Sequence, residues 1–166
     1  MQLEAMAVKF PHVEDHPNRV PFDGVLTVVN TPSDKAPAGA RGHRVVLTRE
    51  AAEQALPSLL GMAVDYRPGW DGHDARRKIG VLTEADIIGN KLVVRGYLYA
   101  RDFPEAARTI RAQSTNSLGM SYELAEARVE DLRAAIWKLT RVTFTGAAVL
   151  LRDKAAYRAT SFRMTS

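Results

Sequence analysis

The chain contains no cysteine and only four histidines. The absence of cysteine excludes disulfide bonds, cysteine-ligated zinc sites and thiol nucleophiles, and it is compatible with a cytosolic protein. No apolar run approaches the length of about 18 residues that a membrane-spanning helix needs, so the sequence predicts no such helix. The first residues lack a basic start followed by an apolar block, and we therefore expect no secretory signal.

Basic residues outnumber acidic ones, which gives the 166-residue chain a formal net charge of +4. Nucleic-acid-binding surfaces cluster lysine and arginine, often with interleaved aromatic residues. Here the basic residues are spread along the chain, and the one tight cluster is Arg76, Arg77 and Lys78. We therefore predict a mildly basic, solvated surface rather than a nucleic-acid interface. The alternative interpretation is that this basic cluster binds an acidic segment of a substrate or scaffold protein.

The hydrophobic pattern predicts one domain over residues 21–166, preceded by a loose N-terminal arm over residues 1–20. Runs of β-branched or alternating apolar residues predict strands, and two segments have helical periodicity. Many strands with a few interspersed helices, and no regular βαβ alternation, indicate a mainly β fold with some α (α+β). We expect a closed or nearly closed antiparallel β-barrel with a few surrounding helices. The predicted strands are 22–30, 43–48, 61–66, 78–88, 91–100, 117–129, 136–151 and 160–164. The predicted helices are 49–56 and 101–112, and residues 152–160 are a candidate for a short third helix.

Two local signals are specific enough to place. Gly89 and Asn90 separate two alternating arms, which predicts a hairpin with a type II′ turn. Thr48 directly precedes the segment REAAEQAL and is expected to cap that helix through its hydroxyl group.

The loop GWDGHDARRKIGV at 69–81 carries His73, which raises the question of a metal site. A zinc site needs about three protein ligands. Asp71, His73 and Asp74 lie together, but no second histidine stands at helical or hairpin spacing. His12 and His16 are four residues apart, but neighbouring prolines oppose a helix there. The sequence therefore predicts neither a metal nor a cofactor.

A loop histidine can instead act as a base for a hydroxyl group, if one lies within hydrogen-bond reach. If residues 118–125 form a strand, Leu118, Met120 and Leu124 face the core and Ser121 faces outward. Gly119 shares the face of Ser121 and has no side chain to block a substrate. Ser121 and His73 are thus a candidate nucleophile and base, although one strand serine and one loop histidine do not by themselves establish catalysis.

Four segments in this order resemble the prohead maturation proteases of tailed bacteriophages, which are distantly similar in fold to the herpesvirus assemblins. The segments are GHDARRKIGVLTEADI, GNKLVVRGYLYARDFPEAARTIRA, LGMSYE and TFTGAAVLLRDKAAY. The similarity extends from residue 22 to about residue 162. It implies an assemblin-like fold and a hydrolase: a serine endopeptidase that processes scaffold and capsid proteins during phage head maturation.

Carried over residue by residue, the resemblance makes Ser121 the nucleophile and His73 the general base. It implies capsid and scaffold proteins as substrates and self-association into a homo-oligomer. From the residues themselves we expect no cofactor, metal, membrane or nucleic-acid partner. It also implies a location in the host cytoplasm within the assembling prohead, or in the bacterial cytoplasm for a prophage. The alternatives are a catalytically inactive capsid-assembly or scaffold domain with this fold, and a non-peptidase serine hydrolase.

The third catalytic group is where the sequence departs from the family pattern. Assemblins use a second histidine downstream of the serine, and no histidine follows His73 in this chain. Phage relatives use an acidic residue, where this chain has Thr143, Phe144 and Thr145. Asp74 and Thr143 are the candidates that we retain from position. The carboxylates of Asp65, Asp71 and Glu123 are also possible. Further alternatives are a threonine hydroxyl group, a backbone carbonyl, or no orienting group at all, at some loss of rate.

The oxyanion site is inferred from the same resemblance. Assemblins use a backbone amide and an arginine-held water, with the arginine beyond the late strand. Arg152 has a similar sequence location, and Arg141 is a second possibility. Gly119 is the candidate for leaving room for the substrate beside Ser121.

Overall fold

A computed structural model describes residues 13–114 and 116–165 of the chain. These residues form eight strands, two α-helices and two short 3₁₀ helices. In chain order the elements are β1 (Val20–Val28), β2 (Arg44–Leu47), α1 (Arg49–Ala55), a 3₁₀ helix (Leu56–Leu59), β3 (Ala63–Asp65), β4 (Lys78–Ile88), β5 (Lys91–Leu98), α2 (Pro104–Ala112), β6 (Leu118–Val129), β7 (Ile136–Leu151), a 3₁₀ helix (Arg152–Lys154) and β8 (Ser161–Met164).

The two features predicted from local sequence signals, the β4–β5 turn and the cap of α1, are confirmed by the structure. Gly89 has a φ of 62°, and Asn90 is not among the residues with positive φ, as a type II′ turn requires. The Thr48 side chain accepts a hydrogen bond from the amide of Ala51 at 3.1 Å, which confirms the predicted cap of α1. Both features depend on residues a few positions apart, so the sequence alone could specify them.

One mixed sheet contains all eight strands, in the order β2-β7-β3-β4-β5-β1-β8, and β6 pairs with the remaining edge of β7. β7 is 16 residues long. β6 runs antiparallel along one of its edges, while β2 and β3 occupy different stretches of the other edge and run parallel to it. β7 is therefore the strand that brings three separate parts of the chain side by side.

The prediction of a closed or nearly closed antiparallel barrel was wrong in two respects. The pairings of β2 and β3 with β7 are parallel, and the sheet curls into an open half-barrel. The sheet stays open because β8 has only four residues and forms its ladder with β1. Across the gap, the Thr160 hydroxyl group, which lies just before β8, accepts a hydrogen bond from the Met120 amide at 3.2 Å. Among the described residues, no ladder joins β6 to β8.

The concave face of the sheet forms the hydrophobic core. Side chains from β1, β4, β5, β6 and β7 meet there and are almost fully buried, and α1 covers the β7 end with its three buried alanines. The largest of the fully buried side chains include Phe22, Leu26, Leu82, Met120 and Phe144. As predicted, Leu118 and Met120 of β6 are buried in this core. Ser121 therefore points to the opposite face.

Residues 1–12 of the predicted arm lie outside the described residues, so the division at residue 20 stays a prediction. Near the end of the predicted arm, within the described residues, the Asn18 side chain accepts hydrogen bonds from the amides of Arg101 and Asp102. Its amide nitrogen also donates to the Asp102 carboxylate at 2.9 Å. These bonds join the residues before β1 to the loop that precedes α2.

Candidate active site

Ser121 and His73 lie in direct contact, although 48 residues separate them in the sequence. The distance between His73 Nε2 and Ser121 Oγ is 3.1 Å. Ser121 belongs to β6, and His73 lies in the loop between β3 and β4. The imidazole is only 16% exposed, so this hydrogen bond is largely shielded from water.

The strand register explains how the two residues meet. Ser121 of β6 is the ladder partner of Ala148 in β7, and Ala148 is also the partner of Asp65 in β3. Ladder partners project to the same face of a sheet, so these three side chains form one row across three adjacent strands. The row places Ser121 and Asp65 roughly 10 Å apart, with a methyl group between them. That leaves room for an imidazole to lie across the row.

The second nitrogen of His73 faces two carboxylates. Nδ1 lies 3.5 Å from Asp65 Oδ1 and 3.4 Å from Glu123 Oε1. Neither contact is aligned as a hydrogen bond, and the buried Nδ1 has no hydrogen-bond partner among the described residues. The Asp65 side chain is 8% exposed and that of Glu123 is 53% exposed. In space, the serine contacts one side of the histidine ring and the acidic groups lie at the other side. A nucleophile, its base and an orienting group are arranged in the same spatial order.

Glu123 reaches the site because its neighbour in β7 is a glycine. Glu123 is the ladder partner of Gly146, and a methyl group at Gly146 would lie 3.2 Å from Glu123 Oε2. The missing side chain lets the Glu123 carboxylate lie along the sheet surface toward His73. Glu123 and Ser121 lie on the same face of β6, as expected for residues two apart.

The loop that carries His73 is anchored on both sides of the histidine. The amide of Leu151, at the end of β7, donates to the Trp70 carbonyl oxygen at 2.7 Å, and the Trp70 ring stacks on Tyr66. Arg67 donates to Asp71 at 2.8 Å. The hydrogen bond from Arg67 lowers the pKa of Asp71, and Asp71 in turn raises the pKa of Arg67. These contacts fix the backbone that leads into His73.

Among the acidic candidates, Asp74 does not face the imidazole. Its carboxylate accepts hydrogen bonds from Arg76 and Arg77. The pKa of Asp74 is lowered, chiefly by the hydrogen bond from the Arg76 backbone. Asp71 is engaged with Arg67, so of the acidic residues considered from the sequence, Asp65 and Glu123 are the two whose carboxylates lie against His73.

Thr143 also lies away from the imidazole. It is the β7 partner of Ala125, and its hydroxyl group is 3.2 Å from Glu126 Oε2, to which it donates. The structure thus separates both of the positional candidates for the third group, Asp74 and Thr143, from His73 Nδ1.

Arg152 and Gly119 have contacts that differ from those expected. The Arg152 guanidinium donates to the carbonyl oxygens of Arg158 at 2.6 Å and Asn116 at 3.4 Å, so it ties together the turns around the start of β6. A methyl group at Gly119 would lie 2.5 Å from Thr160 Oγ1 and 3.2 Å from Arg152 Cα. The space beside Gly119 is therefore filled by the protein itself and is not left open for a substrate.

A small pocket of about 30 Å³ opens beside Ser121, along the edge of β6 that faces β1. Burial raises the pKa of Tyr122 to about 12, and it also raises the pKa of Tyr157. Both phenols thus stay neutral at physiological pH, and the pocket wall carries no charged side chain. Its lining residues are Leu26, Pro37, Met120, Ser121, Tyr122, Ala156 and Tyr157.

Within residues 13–114 and 116–165, no cluster of three or more histidine or acidic side chains is arranged to hold a metal ion. In the same part of the chain, no helix has the length and apolar character needed to cross a membrane.

No protein-family model matches the sequence, and no curated protein matches it either. Among solved structures, the chain is similar to the KSHV protease in complex with a hexapeptide phosphonate inhibitor, with a TM-score of 0.54 and 13% sequence identity. The match covers 86% of this chain and 64% of the protease chain, so it spans a little under two thirds of that protein. The chain therefore has an assemblin-like fold, in which its own mainly β sheet curls into an open half-barrel with a few helices.

Proposed function

We propose that this protein is a serine endopeptidase, with Ser121 as nucleophile and His73 as general base. The observation that carries the proposal is the 3.1 Å contact between Ser121 Oγ and His73 Nε2, with carboxylates at the other ring nitrogen. The likeness in fold to a viral protease supports the peptidase assignment. We further propose that the substrates are the scaffold and capsid proteins of a maturing phage head, inside the assembling particle.

The proposed mechanism follows from the two contacts of the imidazole. His73 Nε2 accepts the Ser121 proton while Oγ attacks the carbonyl carbon of the peptide bond, which gives a tetrahedral oxyanion. The imidazolium then donates that proton to the departing amine, and an acyl-enzyme remains. His73 then deprotonates a water molecule, which attacks the acyl carbon. The imidazolium returns this proton to Ser121 Oγ as the acyl C–Oγ bond breaks, which releases the acid and regenerates the serine. Throughout, carboxylates near Nδ1 stabilise the positive charge on the ring.

The free edge of β6 supports an extended peptide as the substrate. Among the described residues β6 forms a ladder with β7 alone, and its residues beyond Ser121 are largely exposed. An extended chain can add to such an edge through main-chain hydrogen bonds. The uncharged pocket beside Ser121 would then receive a small apolar side chain next to the scissile bond.

Active-site labelling combined with cleavage tests this proposal. We expect a fluorophosphonate to modify Ser121 of the wild-type protein, as located by mass spectrometry, and we expect no label on Ser121→Ala. Scaffold and capsid proteins co-expressed with the wild type should be cleaved, whereas those co-expressed with Ser121→Ala should stay intact.

Ser117→Ala is the matched control, because among the described residues its hydroxyl group bonds to Gln113 and to the Ser114 carbonyl oxygen, and not to the site. This variant should behave as the wild type. Labelling without cleavage of any peptide would instead indicate a non-peptidase serine hydrolase. Equal cleavage with Ser121→Ala would leave an inactive assembly domain as the remaining interpretation.

Ala148 provides a second test, since its small side chain lies in the row between Ser121 and Asp65. Ala148→Leu would place bulk where the imidazole lies, and a displacement of about 1 Å is expected to lower kcat about 100-fold. The free energy of unfolding should fall by about 1–3 kcal/mol, because the site is fully buried.

Rates of peptide cleavage and urea unfolding curves measure both effects of Ala148→Leu. Ala112→Leu, at an exposed position of α2, should change neither quantity appreciably. Wild-type kcat in Ala148→Leu would contradict the proposed position of the imidazole in catalysis.

A further inference from the structure

The contact with Ser121 uses Nε2 of His73 and leaves the second ring nitrogen, the buried Nδ1, without a role. A neutral imidazole carries one proton. If Nε2 is to accept the Ser121 proton, that ring proton must be on Nδ1, which is therefore a donor. Nδ1 is buried and lacks a hydrogen bond among the described residues, and two carboxylate oxygens lie 3.4 and 3.5 Å away. Catalytic hydrogen bonds are often long before the substrate binds.

The two carboxylates differ in burial and support. Asp65 ends β3, which lies between β7 and β4, and its side chain is 8% exposed. Glu123 belongs to the part of β6 whose second edge has no ladder partner among the described residues, and its side chain is 53% exposed. An interaction between charges is stronger in a shielded site than in water, and exposed ion pairs contribute little. The buried carboxylate is therefore the one that can hold the ring strongly.

Asp65 also holds the loop backbone. Its Oδ1 accepts a hydrogen bond from the amide of Asp74 at 3.1 Å. The same oxygen is the one that faces His73 Nδ1. Asp74 directly follows His73 in the chain, so one oxygen of Asp65 contacts the ring of His73 and the peptide that follows it. Glu123 has no corresponding bond to the loop among the described contacts.

We infer that Asp65 is the positioning residue of this site, which acts through His73, and that Glu123 has a secondary role. This inference rests on the proposed function, because the effect of Asp65 on turnover is exerted through the His73 base. In the proposed arrangement, His73 Nδ1–H donates a hydrogen bond to Asp65 Oδ1 while Nε2 faces Ser121. The carboxylate is negative throughout and takes up no proton. It fixes the tautomer and the ring orientation, and it stabilises the imidazolium.

Asp65→Asn and Glu123→Gln form a matched pair of variants, since each removes one charge and keeps the size of the side chain. We expect Asp65→Asn to lower kcat by about 10²- to 10⁴-fold with little change in KM. Glu123→Gln should lower kcat by less than about 10-fold. A larger loss of kcat in Glu123→Gln than in Asp65→Asn would overturn the inference.

A structural role for Asp65 is separated from a positioning role by the His73→Ala background. If Asp65 acts through His73, Asp65→Asn should not lower the residual cleavage rate of His73→Ala any further, because effects that pass through one residue are not additive. An equal additional loss in that background would overturn the inference. If Asp65→Asn does not fold, Asp65→Glu takes its place. It keeps the charge but moves the carboxylate, and its kcat should still fall below that of Glu123→Gln.

A spectroscopic readout keeps this inference distinct from the proposed function. In protein labelled with ¹⁵N-histidine, the His73 Nδ1 proton should be observable, shifted in Asp65→Asn and nearly unchanged in Glu123→Gln. A wild-type protein that neither cleaves peptides nor reacts with the fluorophosphonate would contradict the proposed function alone. An Nδ1 resonance that Asp65→Asn leaves unchanged would overturn the role of Asp65, whether or not the protein is active.

Discussion

Replacing His73 with alanine is expected to lower kcat for peptide cleavage by about 10⁴-fold or more. Without Nε2 at 3.1 Å, no other base in the described part of the chain lies within hydrogen-bond distance of Ser121 Oγ to take its proton. The hydroxyl group is then a weak nucleophile at neutral pH. Labelling of Ser121 by a fluorophosphonate should slow in parallel, because the same proton transfer precedes attack on phosphorus. Initial cleavage rates and the time course of labelling measure the two effects.

His43→Ala is the matched control for this variant. The His43 ring stacks on Trp137 at a centroid distance of 4.4 Å and has no contact with Ser121. Its removal should leave kcat unchanged. Thermal unfolding of both histidine variants should resemble that of the wild type, which confines the effect of His73→Ala to chemistry. Cleavage at the wild-type rate by folded His73→Ala would disprove its role as the general base.

The second large effect expected is on stability, at a glycine in the middle of the sheet. Gly96 of β5 lies between β1 and β4, opposite Phe22 and Leu82. A methyl group at Gly96 would overlap the carbonyl oxygen of Val81 and would also lie 3.0 Å from the Phe22 ring. This overlap with the backbone can be relieved only if the paired strands β4 and β5, in the middle of the sheet, move apart. Gly96→Ala should therefore lower the free energy of unfolding by about 3 kcal/mol or more, at the upper end of overpacking costs.

Urea unfolding monitored by tryptophan fluorescence measures this loss of stability. Gly146→Ala serves for comparison, because the atoms nearest to a methyl group there belong to the half-exposed Glu123 side chain, which can move aside. It should lower the free energy of unfolding by less than about 1 kcal/mol. Similar unfolding midpoints for Gly96→Ala and the wild type would show that the ladder adapts more readily than the contacts indicate.

The sequence was sufficient to predict features that depend on neighbouring residues. Alternating apolar residues in β6 placed Leu118 and Met120 in the core and Ser121 on the other face, as the structure has them. The hairpin at Gly89 and the cap at Thr48 follow from local chemistry in the same way. In each case the physical cause spans only a few positions of the chain.

The carboxylate at His73 was not predictable by the same means. Asp74 was retained as a candidate on condition that the loop turns, but its carboxylate binds two arginines. Asp65 faces His73 because β3 runs parallel to β7 and shares the partner Ala148 with Ser121. That register is a long-range property, and an antiparallel sheet had been expected. The available signal was a charged residue at the end of a short apolar strand, which on burial needs a partner.

The unpaired edge of β6 has a consequence for solubility. An exposed strand edge is a template on which a second copy of the same strand can pair, and such pairing leads to aggregation. Here Glu123 and Glu126 lie along that part of the strand, and Glu126 adopts a φ of 53° that breaks its regularity. Two β6 edges brought together would place like charges face to face. These charges and the irregular backbone thus discourage fibril-like pairing of the protein with itself at this edge.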